Sequence, residues 1–341
     1  MRASIPPTSA RPAGSSGAAR RSARVRRRSA RIRRRSARRF APTRGIATPA
    51  WLWVPAGVAL LFLVLPILTL VVQAFGGGLQ AFLATITSPD ALAALGVSLR
   101  TSIASTVLCA LFGIPLALLL ARTSGPASQA VRIAVIFPLV IPPVVSGVAL
   151  LYLWGRFGWL GSALDVVGVR VGFSEVAVVF AQVFVALPFM VLTAETAIRS
   201  VDPQFEVVAA SSGASATRIV RSITLPLALP GVLAACVLTF ARALGEYGAT
   251  ITFAGSIAGV TRTLPLQVEL NLNSPRPETS VGLSLVLLAI CTLVLVGLRL
   301  ATTDPLARMK DAFPGLGART LPRGDQDDDD RDQDRRAGDR E

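Results

Sequence analysis

The stretch "SVDPQFEVVAASSGASATRIVRSITLPLALPG", residues 200–231, is polar where the sequence on either side of it is apolar. Asp202 followed by Pro203 is typical of a helix N-cap with proline at the first helical position. Gly213 suits the left-handed position that follows many helix ends, and Ser215 is placed to cap another helix. The stretch therefore predicts two short helices hinged at a glycine. We call residues 200–227 the elbow.

The predicted elbow helices have little apolar surface. Phe205 and Val208 fall on one mildly apolar face of the first helix. The second helix is predicted to run through Val220 and to stop at Pro226. Both helices are too polar to cross a membrane, so we expect the elbow to be a docking surface at the face of one.

Apolar runs surround the elbow. The chain has 341 residues, of which 52% are hydrophobic, and its mean hydropathy is +0.58. The runs are about 20 residues long, the length that spans a hydrocarbon core of ~30 Å. We predict an all-α polytopic membrane protein with the elbow between the fourth and fifth of six spans. The predicted spans are 51–75, 96–121, 130–154, 175–197, 228–253 and 280–301. Prolines 142 and 143 predict a kink in the third.

Positive charge is concentrated in the first fifty residues, which hold fifteen arginines and no acid, while the whole chain has a net charge of +15. We predict disordered charged tails at 1–50 and 306–341, on either side of a membrane domain at 51–305. The basic tail favours either attachment to anionic lipid or nucleic acid, or a reinforcement of topology. Aromatic side chains do not interleave its arginines before Phe40, so we expect no nucleic-acid partner.

The short loops indicate an orientation, because arginine and lysine accumulate on the cytoplasmic side of membrane proteins. Nine basic residues flank the spans on one side and about five lie on the other. The first group is Arg44, Arg122, Arg132, Arg199, Arg218, Arg221, Arg299, Arg308 and Lys310; the second is Arg100, Arg156, Arg170, Arg262 and Arg276. We therefore expect a multi-pass protein of the cell membrane with both termini in the cytoplasm.

The residue types present exclude several kinds of chemistry. The chain has no histidine, and its three cysteines each lie inside an apolar run. We expect no catalytic, metal or cofactor site. A phosphate-binding P-loop needs glycines followed by Gly-Lys-Ser/Thr, but the only lysine is Lys310, in "ARMKD". We therefore expect that the chain does not hydrolyse nucleotide.

The elbow resembles the EAA loop of ABC importer permeases, whose pattern is Glu-Ala-Ala, three residues, Gly, nine residues and Ile-x-Leu-Pro. Matching positions are Gly213, Ile223, Leu225 and Pro226. The Glu-Ala-Ala positions hold Val207, Val208 and Ala209, and Glu206 comes one residue early. The resemblance implies the type I ABC importer arrangement. It also implies that the elbow, through Glu206, Ala209, Gly213, Ile223, Leu225 and Pro226, couples the permease to separate ATPase subunits, which bind the ATP.

A second resemblance concerns the cargo. The run "FARALGEYGATITFAGSIAGVTRTLPLQV", which begins at Phe240, is similar to a segment of molybdate permeases and more distantly of sulfate permeases. It implies an importer of molybdate, and of tungstate as a plausible second substrate. Its partners would be an external molybdate-binding protein, ATP-binding cassette subunits, a second copy of this chain and membrane lipid. The alternatives are a sulfate or thiosulfate importer and, in another class, a secondary anion transporter.

Two charges lie within the predicted fifth span. Arg242 and Glu246 are four residues apart, so they can pair on one face of a helix. Isolated charges at this depth are unfavourable, and such residues normally face a bundle interior or an aqueous cavity. Two interpretations remain open: the pair lines the translocation path, with Arg242 meeting the dianion, or it is a buried strut that fixes helix packing.

Overall fold

The structure is a computed structural model, and it describes residues 49–302. The predictions for the two charged tails lie outside the described residues, apart from residues 49 and 50 at the inner end of the first tail. Contacts along the chain divide it into two compact units, one ending at Pro66 and the other beginning at Ile67. The site described below lies entirely within the second unit.

The described part of the chain is helical and contains no strand. A 3-10 turn at Ala50–Leu52 precedes thirteen helices. They are α1 (Trp53–Ala74), α2 (Gly78–Ile86), α3 (Pro89–Arg122), α4 (Pro126–Val140), α5 (Pro143–Trp154), α6 (Trp159–Val166), α7 (Glu175–Arg199), α8 (Pro203–Ser211), α9 (Ala216–Ile219), α10 (Leu225–Leu244), α11 (Gly248–Phe253), α12 (Leu264–Leu272) and α13 (Glu278–Thr302).

Within residues 49–302, six segments are long and apolar enough to cross a membrane, which confirms the predicted number. They are α1, α3, α5 with α6, α7, α9 with α10, and α13. We call the end of the bundle where the elbow follows α7 the elbow end, and the other end the opposite end.

The predicted third span, 130–154, is not one continuous helix: the kink predicted at Pro142 and Pro143 is at the correct place but is a complete break. It is divided into α4 and α5, and Ile141 and Pro142 lie between them in extended backbone. Two consecutive prolines explain the division. Neither Pro142 nor Pro143 has an N–H to donate to the preceding turn, and each restricts the residue before it to extended backbone.

The predicted fifth span, 228–253, also has different limits. Helical backbone begins at Ala216, continues through a π-helical turn at Val220–Thr224 and ends at Leu244; α11 then starts at Gly248. The expectation that the second elbow helix stops at Pro226 is therefore wrong. In the wider π turn the N–H of Leu225 bonds to the carbonyl of Val220, five residues earlier. Pro226 thus falls in the first turn of α10, where its missing N–H is tolerated.

The core of the second unit lies where α3, α7 and α10 pack together. Alanines dominate this core, and small residues allow the backbones of membrane helices to approach closely. Its fully buried residues include Cys109, Ala117, Ala186, Met190, Ala194, Ala235 and Ala243. Polar side chains also join α3 to α7: Ser105 donates to Oε1 of Gln182 at 2.8 Å, and Nε2 of Gln182 donates to Thr101 at 3.1 Å. Such interhelical hydrogen bonds hold α3 and α7 in register.

Candidate functional site: the elbow and the crossing of two broken helices

Local side-chain rules shape the elbow as the sequence predicts. Asp202 accepts a hydrogen bond from the N–H of Gln204 at 2.9 Å and caps α8. Gly213 has a φ of +84°, and the N–H of Ala214 bonds back to the carbonyl of Ala209 at 3.0 Å. Ser215 caps α9. The predicted caps and the glycine hinge are therefore confirmed.

A groove of about 320 Å³ lies between the two arms of the elbow. One arm is α8, and the other is α9 with the π-helical turn. The structure brings three of the predicted coupling residues together along this groove, namely Ala209, Gly213 and Ile223. Leu225 and Pro226 do not line it, because they lie further along, in the first turn of α10. The groove is thus formed by both arms of the elbow and depends on the angle at Gly213.

Glu206 faces its own chain. Nη2 of Arg122, the last residue of α3, donates to Oε1 of Glu206 at 2.8 Å and to the hydroxyl oxygen of Thr224 at 3.0 Å. The hydroxyl of Thr224 in turn donates to the same oxygen of Glu206. We call Arg122, Glu206 and Thr224 the elbow clamp. Sequence reasoning missed Arg122 and Thr224 as partners, because they lie 84 and 18 residues away from Glu206 along the chain.

The outward face of α8 is apolar. Val207, which holds the position of the glutamate in the EAA pattern, is 62% exposed, and Phe205 and Val208 are also exposed. None of the described residues of the second unit covers these three side chains. The first elbow helix can therefore insert an apolar face into a partner.

A second ion cluster joins three helices at the elbow end. Glu195 of α7 accepts from Nη2 of Arg132 at 2.7 Å and from Nε of Arg199 at 2.9 Å. Both arginines also donate to the carbonyl oxygen of Leu120, at 2.8 Å each, near the C-terminus of α3. The sequence did not single out this cluster. Its one readable signal is the spacing of four residues between Glu195 and Arg199.

The two breaks in the predicted spans meet in the folded chain. A β-carbon on Gly248, at the start of α11, would lie 2.6 Å from Cβ of Pro143, at the start of α5. A β-carbon on Gly147 would lie 2.8 Å from the carbonyl oxygen of Ala249. Only glycine permits this approach, so α5 and α11 cross with their backbones nearly in contact.

Arg242 and Glu246 stand at this crossing. Nη1 of Arg242 lies 3.1 Å from Oε2 of Glu246, so the predicted pair forms. It does not lie within one continuous helix, because α10 ends at Leu244 and Glu246 follows that end. The other carboxylate oxygen of Glu246 accepts from the N–H of Ala249 at 2.8 Å. Glu246 therefore joins the end of α10 to the first turn of α11.

The two partners of this pair have different surroundings. The side chain of Glu246 is only 1% exposed, whereas that of Arg242 is 29% exposed. Arg242 lines a cavity of about 150 Å³, and Glu246 does not. The other walls come from the broken segment between α4 and α5 and from α7, and include Pro138, Ile141, Ser146 and Phe189. The positive partner thus faces open space and the negative partner is buried in protein.

Metal ligands do not cluster in the part of the chain that the structure describes: no three His, Cys, Asp or Glu side chains there are placed to hold an ion. The chemistry available at the crossing is that of a guanidinium beside apolar walls. At the elbow, an exposed apolar face on α8 lies beside the charged side chains of the elbow clamp.

Known proteins with similar sequences are membrane components of transport systems. The chain is 45% identical over 249 residues to the molybdenum transport system permease protein ModB of Mycobacterium tuberculosis, covering 73% of this chain and 93% of that protein. It is 35% identical over 250 residues to the sulfate transport system permease protein CysW of Escherichia coli, covering 71% and 86%.

Structural comparison agrees with this at the level of the fold. A chain of the crystal structure of a bacterial alginate ABC transporter, in complex with its alginate pentasaccharide-bound periplasmic protein, matches with a TM-score of 0.59 and 19% identity. The match covers 74% of this chain and 94% of that one. Residues 113–302, which include the elbow and the crossing, match the family described as binding-protein-dependent transport system inner membrane component. The chain belongs to this family of inner membrane transport components.

Proposed function

We propose that the chain is the permease subunit of an ATP-driven importer of molybdate, with tungstate as a second substrate. The assignment of molybdate as the cargo rests on the 45% identity to a molybdenum transport permease over nearly the whole length of that protein, against 35% for a sulfate permease. The run from Phe240 onward, which includes Arg242 and Glu246, supports the same choice.

The energy for transport would come from partner chains. The sequence contains no P-loop, so nucleotide hydrolysis is assigned to separate ATP-binding cassette subunits that dock on the elbow. The exposed apolar face of α8, formed by Phe205, Val207 and Val208, supports this assignment. An external binding protein would deliver the oxyanion, and a second copy of this chain would complete the path through the membrane.

The translocation path would run past the crossing of α5 and α11. Among the described residues, Arg242 is the one charged side chain on the wall of the cavity there, and a positive wall attracts an oxyanion. Glu246 acts as the strut, because it is buried and ties two helix ends together. Arg242 would thus line the translocation path, and Glu246 would be the buried strut. The cavity is otherwise largely apolar, as suits a path that must release its cargo.

The proposed orientation places both termini and the elbow in the cytoplasm, as the basic residues of the loops indicate. Reporter fusions test it. A reporter after Arg122 or Arg218 should be active in the cytoplasm, and one near Gly161 or Asn273 should be active outside. A cytoplasmic signal at Asn273 would contradict the proposed topology.

The cargo is tested in cells that lack this gene. We expect molybdoenzyme activity to be lost at trace molybdate and restored by high external molybdate, because a sulfate system would then carry enough. Growth on sulfate as sole sulfur source should be unchanged. Uptake of labelled molybdate by the complemented strain should be competed by tungstate and much less by sulfate.

The alternatives give different results in the same strains. Sulfur auxotrophy with normal molybdoenzyme activity would assign the chain to sulfate or thiosulfate import, as the similarity to the sulfate permease allows. Uptake that persists after ATP depletion but stops when the proton gradient is collapsed would assign it to secondary anion transport.

A further inference from the structure

In the elbow clamp, the carboxylate of Glu206 is bound by side chains of its own chain instead of being free to meet a docking partner. Successive residues of an α-helix are about 100° apart around its axis. The EAA pattern has its glutamate at the position of Val207, which faces outward, whereas Glu206 comes one residue earlier and binds Arg122 and Thr224 of its own chain. The shift by one residue therefore turns the carboxylate from a possible partner surface to the inside of the elbow.

The clamp joins three elements at one point. Arg122 ends α3, Glu206 lies in the first turn of α8, and Thr224 ends the π-helical turn. Thr224 is fully buried, whereas the side chains of Arg122 and Glu206 are partly exposed. Each of the three side chains bonds to the other two, so the triangle is closed.

The C-terminus of α3 is itself held to the rest of the bundle. The carbonyl oxygen of Leu120, two residues before Arg122, accepts from Arg132 of α4 and from Arg199 of α7. A displacement of α8 therefore reaches α3 through the clamp and reaches α4 and α7 through Leu120. The helix α4 leads directly to the break that lines the cavity of Arg242.

We propose that Arg122 is a positioning residue for transport: through Glu206 and Thr224 it fixes the elbow to α3, so that movement of the elbow by the ATPase is transmitted to the broken helices. This inference rests on the proposed function as an ATP-driven importer. Because the Arg122–Glu206 pair is partly exposed, it contributes little to folding, and its loss appears in coupling rather than in stability.

The test uses the full complex, with the permease, the ATPase subunits and the binding protein reconstituted in lipid vesicles. The variants are Arg122→Ala, the exchange Arg122→Glu with Glu206→Arg, and Arg100→Ala as a matched control. Arg100 lies in the first half of α3, far from Arg122, and forms an exposed pair with Glu175 at 3.1 Å. The readouts are molybdate uptake, ATP hydrolysis stimulated by the loaded binding protein, the amount of ATPase that co-purifies, and the thermal midpoint.

We expect Arg122→Ala to keep a wild-type thermal midpoint and a wild-type amount of bound ATPase, while uptake per ATP hydrolysed falls at least about fivefold, the lower range of coupling effects between sites. The exchanged pair should regain most of this loss, because the opposite charges still meet beside Thr224. Arg100→Ala should behave as wild type.

Three results would overturn the proposal: wild-type coupling in Arg122→Ala, a reduced amount of bound ATPase in that variant, or no recovery in the exchanged pair. A wild-type complex that hydrolyses ATP in response to its binding protein but takes up no molybdate would contradict the proposed cargo instead. The clamp would then still be judged by the stimulation of ATP hydrolysis.

Discussion

Two clusters of the same composition, one carboxylate held by two arginines, lie near opposite ends of α7. At the elbow end, Glu195 binds Arg132 and Arg199, its side chain is 10% exposed, and both arginines also bind a backbone carbonyl. At the opposite end, Asp165 binds Arg156 and Arg170, but its side chain is 27% exposed and both arginines are well exposed. Composition alone therefore does not reveal which cluster holds the fold together.

The difference follows from what each cluster connects. Glu195 joins α7, α4 and, through Leu120, the end of α3, so three helices move together at the elbow end. Within residues 49–302, the ion-pair partners of Asp165 are both arginines of its own region, between α5 and α7. Buried pairs with further hydrogen bonds are strongly destabilised by the loss of one partner, whereas exposed pairs contribute little. We infer that the elbow end is the stiff end of the second unit.

The largest expected effect is at Glu195. Glu195→Ala leaves two arginines without their carboxylate in a partly buried site, and we expect the free energy of unfolding to fall by about 3 kcal/mol. Thermal unfolding of the purified protein in detergent measures this as a lower midpoint. Glu195→Gln is the control, because it keeps an acceptor for hydrogen bonds and should lose less. An unchanged midpoint in Glu195→Ala would remove the contrast between the two clusters.

A smaller effect is expected at the crossing, between the two ends. Arg242→Ala leaves Glu246 buried, with the N–H of Ala249 as its remaining partner among the described residues, and should lower the unfolding free energy by about 2 kcal/mol. The double variant with Glu246→Ala should recover part of that loss, because no unpaired charge remains.

Measurements of molybdate uptake distinguish two possible roles of Arg242, as the partner of Glu246 and as a contact of the cargo. If it serves only as the partner of Glu246, the double variant should take up molybdate better than Arg242→Ala alone. If it contacts the cargo, uptake in the double variant should be no better than in the single variant.

The next effect is at the elbow hinge. A side chain at Gly213 would have open space, so only its φ of +84° matters. Gly213→Val should therefore cost about 1–2 kcal/mol in local backbone strain and should reduce coupled uptake while the spans still insert. Gly213→Asn, which tolerates left-handed backbone, should retain most of the uptake. Normal uptake in Gly213→Val would show that the hinge angle is not needed.

The smallest effect is expected at the opposite end. Asp165→Ala removes two exposed ion pairs, and we expect no measurable change in the thermal midpoint. Measured beside Glu195→Ala under the same conditions, it completes the comparison. Equal losses in the two variants would contradict the view that burial and interhelical bonds distinguish the clusters.

The sequence predicts those features that local rules determine. Asp202, Gly213 and Ser215 shape the elbow through their own backbone and nearest turn, so their roles are readable within a few residues. The number of spans is readable from the length of apolar runs. The first break is readable only in part: Pro142 and Pro143 predict a kink, but hydropathy does not distinguish a kinked helix from two separate ones. The second break, at Gly245, carries no proline and was not predicted.

The ion pairs across helices could not be predicted either. Arg122 meets Glu206 and Arg132 meets Glu195 only after α3, α4, α7 and the elbow have packed. A single sequence carries no record of such distances. The acid at position 206 was readable as a departure from the EAA pattern, but its inward direction depends on where α8 begins.

Pro142, between α4 and α5, and Pro143, the first residue of α5, have a consequence for every state of the protein. A helix that merely unwinds for a moment leaves N–H groups that can rebind, so it can close again. At Pro142 and Pro143 there is no N–H to rebind, and the ring of each fixes φ. The break between α4 and α5 thus follows from the proline rings themselves, and we expect it to persist in every conformation of the protein. In the proposed importer, we therefore expect gating to displace α4 and α5 as two separate rigid segments, rather than to unwind and re-form a single helix.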